Sequence, residues 1–129
     1  AIQPEFSVGP FTITTQRMTH PVEAYAIRVD AGGRSLTYSG DTGPNDRLRT
    51  LARDTDLALF ESSFVSGPAN PPDLHMTGAE AAEIADRAGA AGLLVTHLVP
   101  WHPPERIHAE AAAVRPDAQL AHPGLVVGI

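Results

Sequence analysis

Five side chains in this sequence have the chemistry of a metal site: His20 in THPVEAY, Asp41 in LTYSGDT, Glu61 in LFESSF, His75 in DLHMT and His97 in LLVTHLVP. A carboxylate placed among imidazoles is the ligand set of cysteine-free zinc, manganese or iron sites. Beside such ligands, a histidine can pass a proton or hold an oxyanion, and a buried glutamate can orient a histidine. The chain has no cysteine, so disulfides, thiolate catalysis and thiolate zinc ligation are excluded. All nine cationic side chains are arginine, which excludes a Schiff-base or P-loop lysine.

Each residue also has an ordinary reading. Asp41 suits the start of a turn or the cap of a helix near Pro44. His97 could be a structural histidine after a strand, His20 a loop residue, His75 a packing residue at a helix entry, and Glu61 a hydrogen-bonded structural carboxylate. What favours chemistry is the coincidence of several on one edge of the fold, which depends on the elements that carry them.

Phe11 to Met18, Glu23 to Val29 and Arg34 to Ser39 are rich in β-branched and aromatic residues and predict strands, the last two joined by a turn at Asp30-Ala31-Gly32-Gly33. Pro44 opens a helical segment in which Leu48, Leu51 and Ala52 recur at helical spacing. Leu57 to Phe60 predicts a buried strand. Thr77 and Glu80 form a capping box ahead of a helix whose Ala81, Ile84, Ala85 and Ala88 share one face. Leu93 to Val95 predicts another strand, Pro104 to Val114 a third helix, and Leu125 to Val127 a last strand. From Arg34 onward the order is strand, helix, strand, helix, strand, which favours parallel strands with right-handed crossovers. Their carboxyl ends share an edge, the ligand-binding edge of open α/β sheets, and place Asp41, Glu61 and His97 together. His102, His108 and His122 are expected on the surface or in loops.

The 129 residues make one α/β domain, with no apolar run of about 18 residues to cross a membrane. A cytoplasmic protein is the expectation. The net charge of −6 and the lack of a basic stripe argue against nucleic acid as a partner.

In order and spacing, SGDTG, the glutamate of LFESSF, HMTGAEAAEIA and LLVTHLVPWHPPERI resemble the carboxyl half of metallo-β-lactamase-fold hydrolases. The likeness is to the branch of ribonuclease Z-like enzymes and cyclic-nucleotide phosphodiesterases, whose third metal motif is similar to THPVEAYAIRV. It implies that residues 1–129 are half of an αββα four-layer sandwich, one mixed sheet with helices on its outer face. It also implies metal ligation by His20, Asp41 and His97, with Asp41 bridging two divalent ions, zinc or alternatively manganese or iron. Glu61 becomes a supporting carboxylate, and His75 the residue that assists the leaving oxygen. The implied reaction is attack of a metal-activated hydroxide on a small phosphodiester such as a cyclic nucleotide, with a thioester or lactone as the alternative substrate.

Two departures qualify the likeness. The family's H-x-H-x-D-H motif is absent, so the other ligands are expected from an amino-terminal half or a second copy covering the inner sheet face. The chain by itself is then inactive, and a non-catalytic half-domain acting through assembly is the third reading. The other departure is the 21-residue interval from His20 to Asp41, which fits one hairpin and leaves no room for a tRNA-gripping arm.

Overall fold

The computed structural model describes residues 2–129; Ala1 lies outside them. One sheet of seven strands runs in chain order: β1 (Glu5–Val8), β2 (Phe11–Arg17), β3 (Tyr25–Ala31), β4 (Arg34–Tyr38), β5 (Leu57–Glu61), β6 (Gly92–Thr96) and β7 (Gln119–Leu120). The first four are antiparallel neighbours and the last four parallel ones. The expected mixed sheet is therefore present. Its three parallel connections carry α1 (Asp46–Leu51), α2 (Gly78–Ala88) and α3 (Pro104–Val114). Because each crossover is right-handed and moves to the next strand in the same direction, all three helices lie on one face.

Strand alternation divides the sheet chemically. Ala26, Thr37, Ala58, Phe60, Leu93 and Val95 are buried against Leu48, Ala81, Ala82, Ala85 and Ala111 of the helices. The opposite face carries the alternates: Ile13, Val29, Leu36 and Leu57 form one cross-strand row, and Ile27, Tyr38 and Leu59 the next. These are only half-buried. Along this face lie Val127, beside Leu57 and Leu94, and Ile129, beside Val29 and Leu36.

One strand expectation needs correction. Leu125 to Val127 form no strand; the last strand is Gln119–Leu120, paired with Leu94 and Val95. The apolar run lies beyond the turn at Pro123-Gly124, past the point where β6 offers partners, and Val126 is 91% exposed. Strand β1 was not expected: EFSV is short and wholly exposed, and exists by pairing with β2 across a turn in which Gly9 takes a φ of 54°. Helix α1 also starts later than Pro44, with Asn45 as its cap accepting from Leu48 N at 3.0 Å. The capping box of α2 forms as the sequence indicates, Thr77 and Glu80 each accepting the other's backbone N–H.

Three glycines let segments meet more closely than any side chain would permit. A Cβ on Gly40 would lie 2.3 Å from the Tyr25 carbonyl oxygen, and one on Gly43 2.8 Å from Asp73 Cα. A Cβ on Gly78 would lie 2.2 Å from Ile107 O, where α2 crosses α3. Backbone on both sides leaves no side chain to yield, so Gly78→Ala should lower stability by about 1–3 kcal/mol. Gly128→Ala, with open space around it, should stay within about 0.5 kcal/mol. Urea midpoints of the two variants measure the difference.

Candidate metal centre

The carboxyl ends of β4, β5 and β6 deliver Asp41, Glu61 and His97 to one edge, as the topology requires. His20 arrives on the loop before β3 and His75 on the loop before α2. The His75 ring sits between the other two, 5.5 Å from the His20 centroid and 5.2 Å from that of His97. Asp41 Oδ1 lies 3.3 Å from His97 Nδ1. All five sequence candidates are thus gathered in one place.

Their positions follow from local bonding. The His20 loop is stitched to the Asp41 turn: Gly43 N donates to Thr19 O at 2.8 Å, Thr19 N to Thr42 Oγ1 at 3.3 Å, and Arg47 Nη2 to Thr19 Oγ1 at 2.9 Å. His20 itself accepts a long bond from Val22 N on Nδ1, 3.4 Å. Asn45 Nδ2 donates to Thr42 Oγ1 and Gly43 O at 2.8 and 2.9 Å, so the cap of α1 also braces the turn that presents Asp41. His97 has a φ of 56°; this left-handed residue ends β6 and turns the chain at the sheet edge. Such a backbone is uncommon outside glycine, and histidine is among the side chains that tolerate it best.

Glu61 is fully buried and its two oxygens are fully used. Oε1 accepts from Thr42 N at 2.9 Å and from His75 Nδ1 at 2.6 Å; Oε2 accepts from Ser63 N at 3.2 Å and Met76 N at 3.1 Å. A carboxylate only accepts, so His75 carries its proton on Nδ1 and keeps the Nε2 lone pair for other partners. One ligand atom from each of Glu61, His75 and His97 lies within 4.8 Å of the others. Because the glutamate's acceptor sites are taken, its role in that trio is support.

Asp41 differs in every respect. It is 40% exposed, and among the described residues its carboxylate receives no hydrogen bond and pairs with no arginine. The acidity of the neighbourhood reaches Tyr38, whose phenol is pushed above its ordinary range by burial first and then by Asp41 and Glu61. A carboxylate beside the His97 imidazole is a donor pair of the kind that suits a divalent cation.

The remaining histidines stay outside the cluster. His108 Nε2 donates to Ala118 O at 2.9 Å, tying α3 to the entry of β7, and His122 Nδ1 lies 3.1 Å from Pro123 O. His102 sits in the turn ahead of α3. Residues not singled out from sequence prove structural to the site: Thr42 and Asn45 in the Asp41 turn, and Ser63, whose hydroxyl contacts His97. Only its place two residues beyond a strand-end glutamate marks Ser63.

Replacing Glu61 by Gln puts an amide NH₂ where N–H donors already converge. A buried donor facing a donor costs about 1–3 kcal/mol, so Glu61→Gln should lower the urea midpoint accordingly. An unchanged midpoint would show that the four bonds are not formed in solution.

Comparison with known proteins places this geometry. The model of the "Beta-lactamase superfamily domain" matches residues 1–98. An uncharacterized protein of Mycobacterium tuberculosis is 44% identical over 108 residues, covering 83% of this chain and 40% of that protein. The probable metallo-hydrolase YhfI of Bacillus subtilis is 34% identical over 129 residues, 98% of this chain and 53% of YhfI. The crystal structure of the metallo-beta-lactamase fold protein YhfI superposes with a TM-score of 0.89 at 32% identity, over 96% of this chain and 52% of that one. Ribonuclease Z of Halobacterium salinarum is 35% identical over 97 residues, 72% of this chain and 32% of the enzyme. The chain thus spans about half or less of the length of these relatives. It belongs to the beta-lactamase superfamily, among the metallo-hydrolases of the metallo-beta-lactamase fold.

Proposed function

We propose that this chain carries half of the active site of a metal-dependent phosphodiesterase acting on a small phosphodiester such as a cyclic nucleotide. The observation that carries the reading is the pair formed by buried Glu61 and His75 beside Asp41 and His97. Asp41, His97 and His20 would hold a divalent metal or a pair of zinc ions there, which would supply Lewis-acid chemistry.

The chain's own residues supply the rest. Glu61 fixes the His75 proton on Nδ1 and holds the ring, so that Nε2, once protonated, can hand a proton to the departing oxygen. An alkoxide is a poor leaving group and needs that proton. A thiolate does not, which makes the Glu61–His75 pair an argument for a phosphodiester over a thioester. Small size is supported by the connection from His20 to Asp41, which is the β3–β4 hairpin closed by the two-residue turn Gly32-Gly33. The net charge of −6 gives no attraction for a polyanion.

Three ligands cannot fill two coordination spheres. The remaining donors are proposed to come from an amino-terminal half, or from a second copy, packed over the half-buried apolar face that carries Ile27, Val29, Leu36 and Leu59.

The test uses the intact protein with a cyclic nucleotide, a p-nitrophenyl phosphodiester and a thioester side by side. Asp41→Ala and chelation should each abolish turnover. His75→Ala should slow the cyclic nucleotide about 10²–10⁴-fold while sparing the nitrophenyl ester, whose leaving group needs no acid. Retained hydrolysis in Asp41→Ala, or thioester turnover exceeding that of both phosphodiesters, would overturn the reading.

A further inference from the structure

The hydroxyl of Ser63 has two contacts with His97: it donates to the backbone oxygen at 2.8 Å, and it lies 3.1 Å from Nδ1. A serine hydroxyl has one proton, and that proton is committed to the carbonyl. The contact with Nδ1 must then run the other way, from an Nδ1–H to the serine oxygen. The second neighbour of Nδ1 agrees, since Asp41 Oδ1, 3.3 Å away, is also an acceptor. Two acceptors face this nitrogen.

We propose that Ser63 is a positioning residue for metal binding: it locks His97 in the Nδ1–H tautomer and presents the Nε2 lone pair to the cation. The same contact clamps the left-handed backbone of His97, because the carbonyl that Ser63 holds belongs to the residue with φ 56°. Ser63 is itself well anchored. It is fully buried, and its N–H is bound to Glu61 Oε2 at 3.2 Å.

The segment Glu61-Ser62-Ser63 therefore sets two imidazoles at once. Glu61 takes the Nδ1 proton of His75 and Ser63 that of His97, so both rings keep Nε2 for the site. Ser62, between them, is equally buried, yet its hydroxyl has no hydrogen-bond partner among the described residues. That contrast makes Ser62 the internal control. The inference rests on the metal-site reading above for its purpose and on the hydrogen bonds alone for its geometry.

Long-range ¹⁵N–¹H spectra of the metal-free intact protein, with the His97 signals identified by His97→Asn, report the tautomer directly. The expected result is a protonated Nδ1 and a bare Nε2 on His97. In Ser63→Ala the opposite tautomer should gain population, and zinc affinity should fall about 10- to 100-fold. Ser63→Thr should restore both, and Ser62→Ala should change neither. A bare Nδ1 in the unsubstituted protein overturns the proposal whether or not Ser63→Ala folds. So does a Ser63→Ala protein that keeps both the tautomer and the affinity. If the tautomer is as expected but the unsubstituted protein takes up no zinc, the metal reading fails while the orienting contact stands.

Discussion

The edge of this sheet is organised around one buried carboxylate. A charge without solvent exposure is costly unless its lone pairs are matched, and Glu61 meets that demand with Thr42 N, Ser63 N, Met76 N and His75 Nδ1. Each donor comes from a segment that the site needs in place: the Asp41 turn, the end of β5, and the loop that presents His75. Hydrogen bonds to a charged acceptor contribute on the order of 1.5–3 kcal/mol each. Displacing any one of these loops would leave part of that charge unmatched, so the loops hold their positions jointly.

Such convergence needs backbone to approach backbone, and this is where the glycines act. Gly40 passes under the Tyr25 carbonyl just before Asp41, and Gly43 packs on the backbone of Asp73, two residues ahead of His75. With a side chain at either position, the turn between them would move away from β3 or from the His75 loop. The bonds from Thr42 N to Glu61 and from Gly43 N to Thr19 would then be stretched. The SGDTG segment is thus two close approaches flanking one exposed carboxylate, which explains why the carboxylate follows the strand so abruptly.

The parts legible in the sequence are those decided locally. The capping box at Thr77, the Gly32-Gly33 hairpin and the strand–helix alternation after Arg34 all follow from neighbouring residues, and with right-handed crossovers they suffice to bring Asp41, Glu61 and His97 to one edge. What escaped depends on distant partners. Strand β7 is two residues long and exists because β6 offers it an edge, whereas Leu125 to Val127 look more strand-like and have no partner strand. The β1 strand is likewise made by its neighbour. The role of Ser63 depends on a left-handed backbone at His97, 34 residues away, which no local pattern announces.

The two faces of the sheet divide the work. The helix-covered face is a closed core, in which the small residues Ala81, Ala82, Ala85 and Ala111 of α2 and α3 pack with Phe60, Met76, Leu93 and Val95. Close packing there backs the strands β4, β5 and β6, whose ends carry Asp41, Glu61 and His97. The other face keeps larger side chains, Ile27, Leu36, Tyr38 and Leu59, only half-buried, and Tyr38 on it feels the charges of Asp41 and Glu61. The proposed site therefore lies at the border between the helix-covered core and the half-buried face. If that face is covered as proposed above, the same packing that buries Ile27, Leu36 and Leu59 would reach the edge where Asp41 and His97 lie, which couples burial of the apolar rows to access to the site.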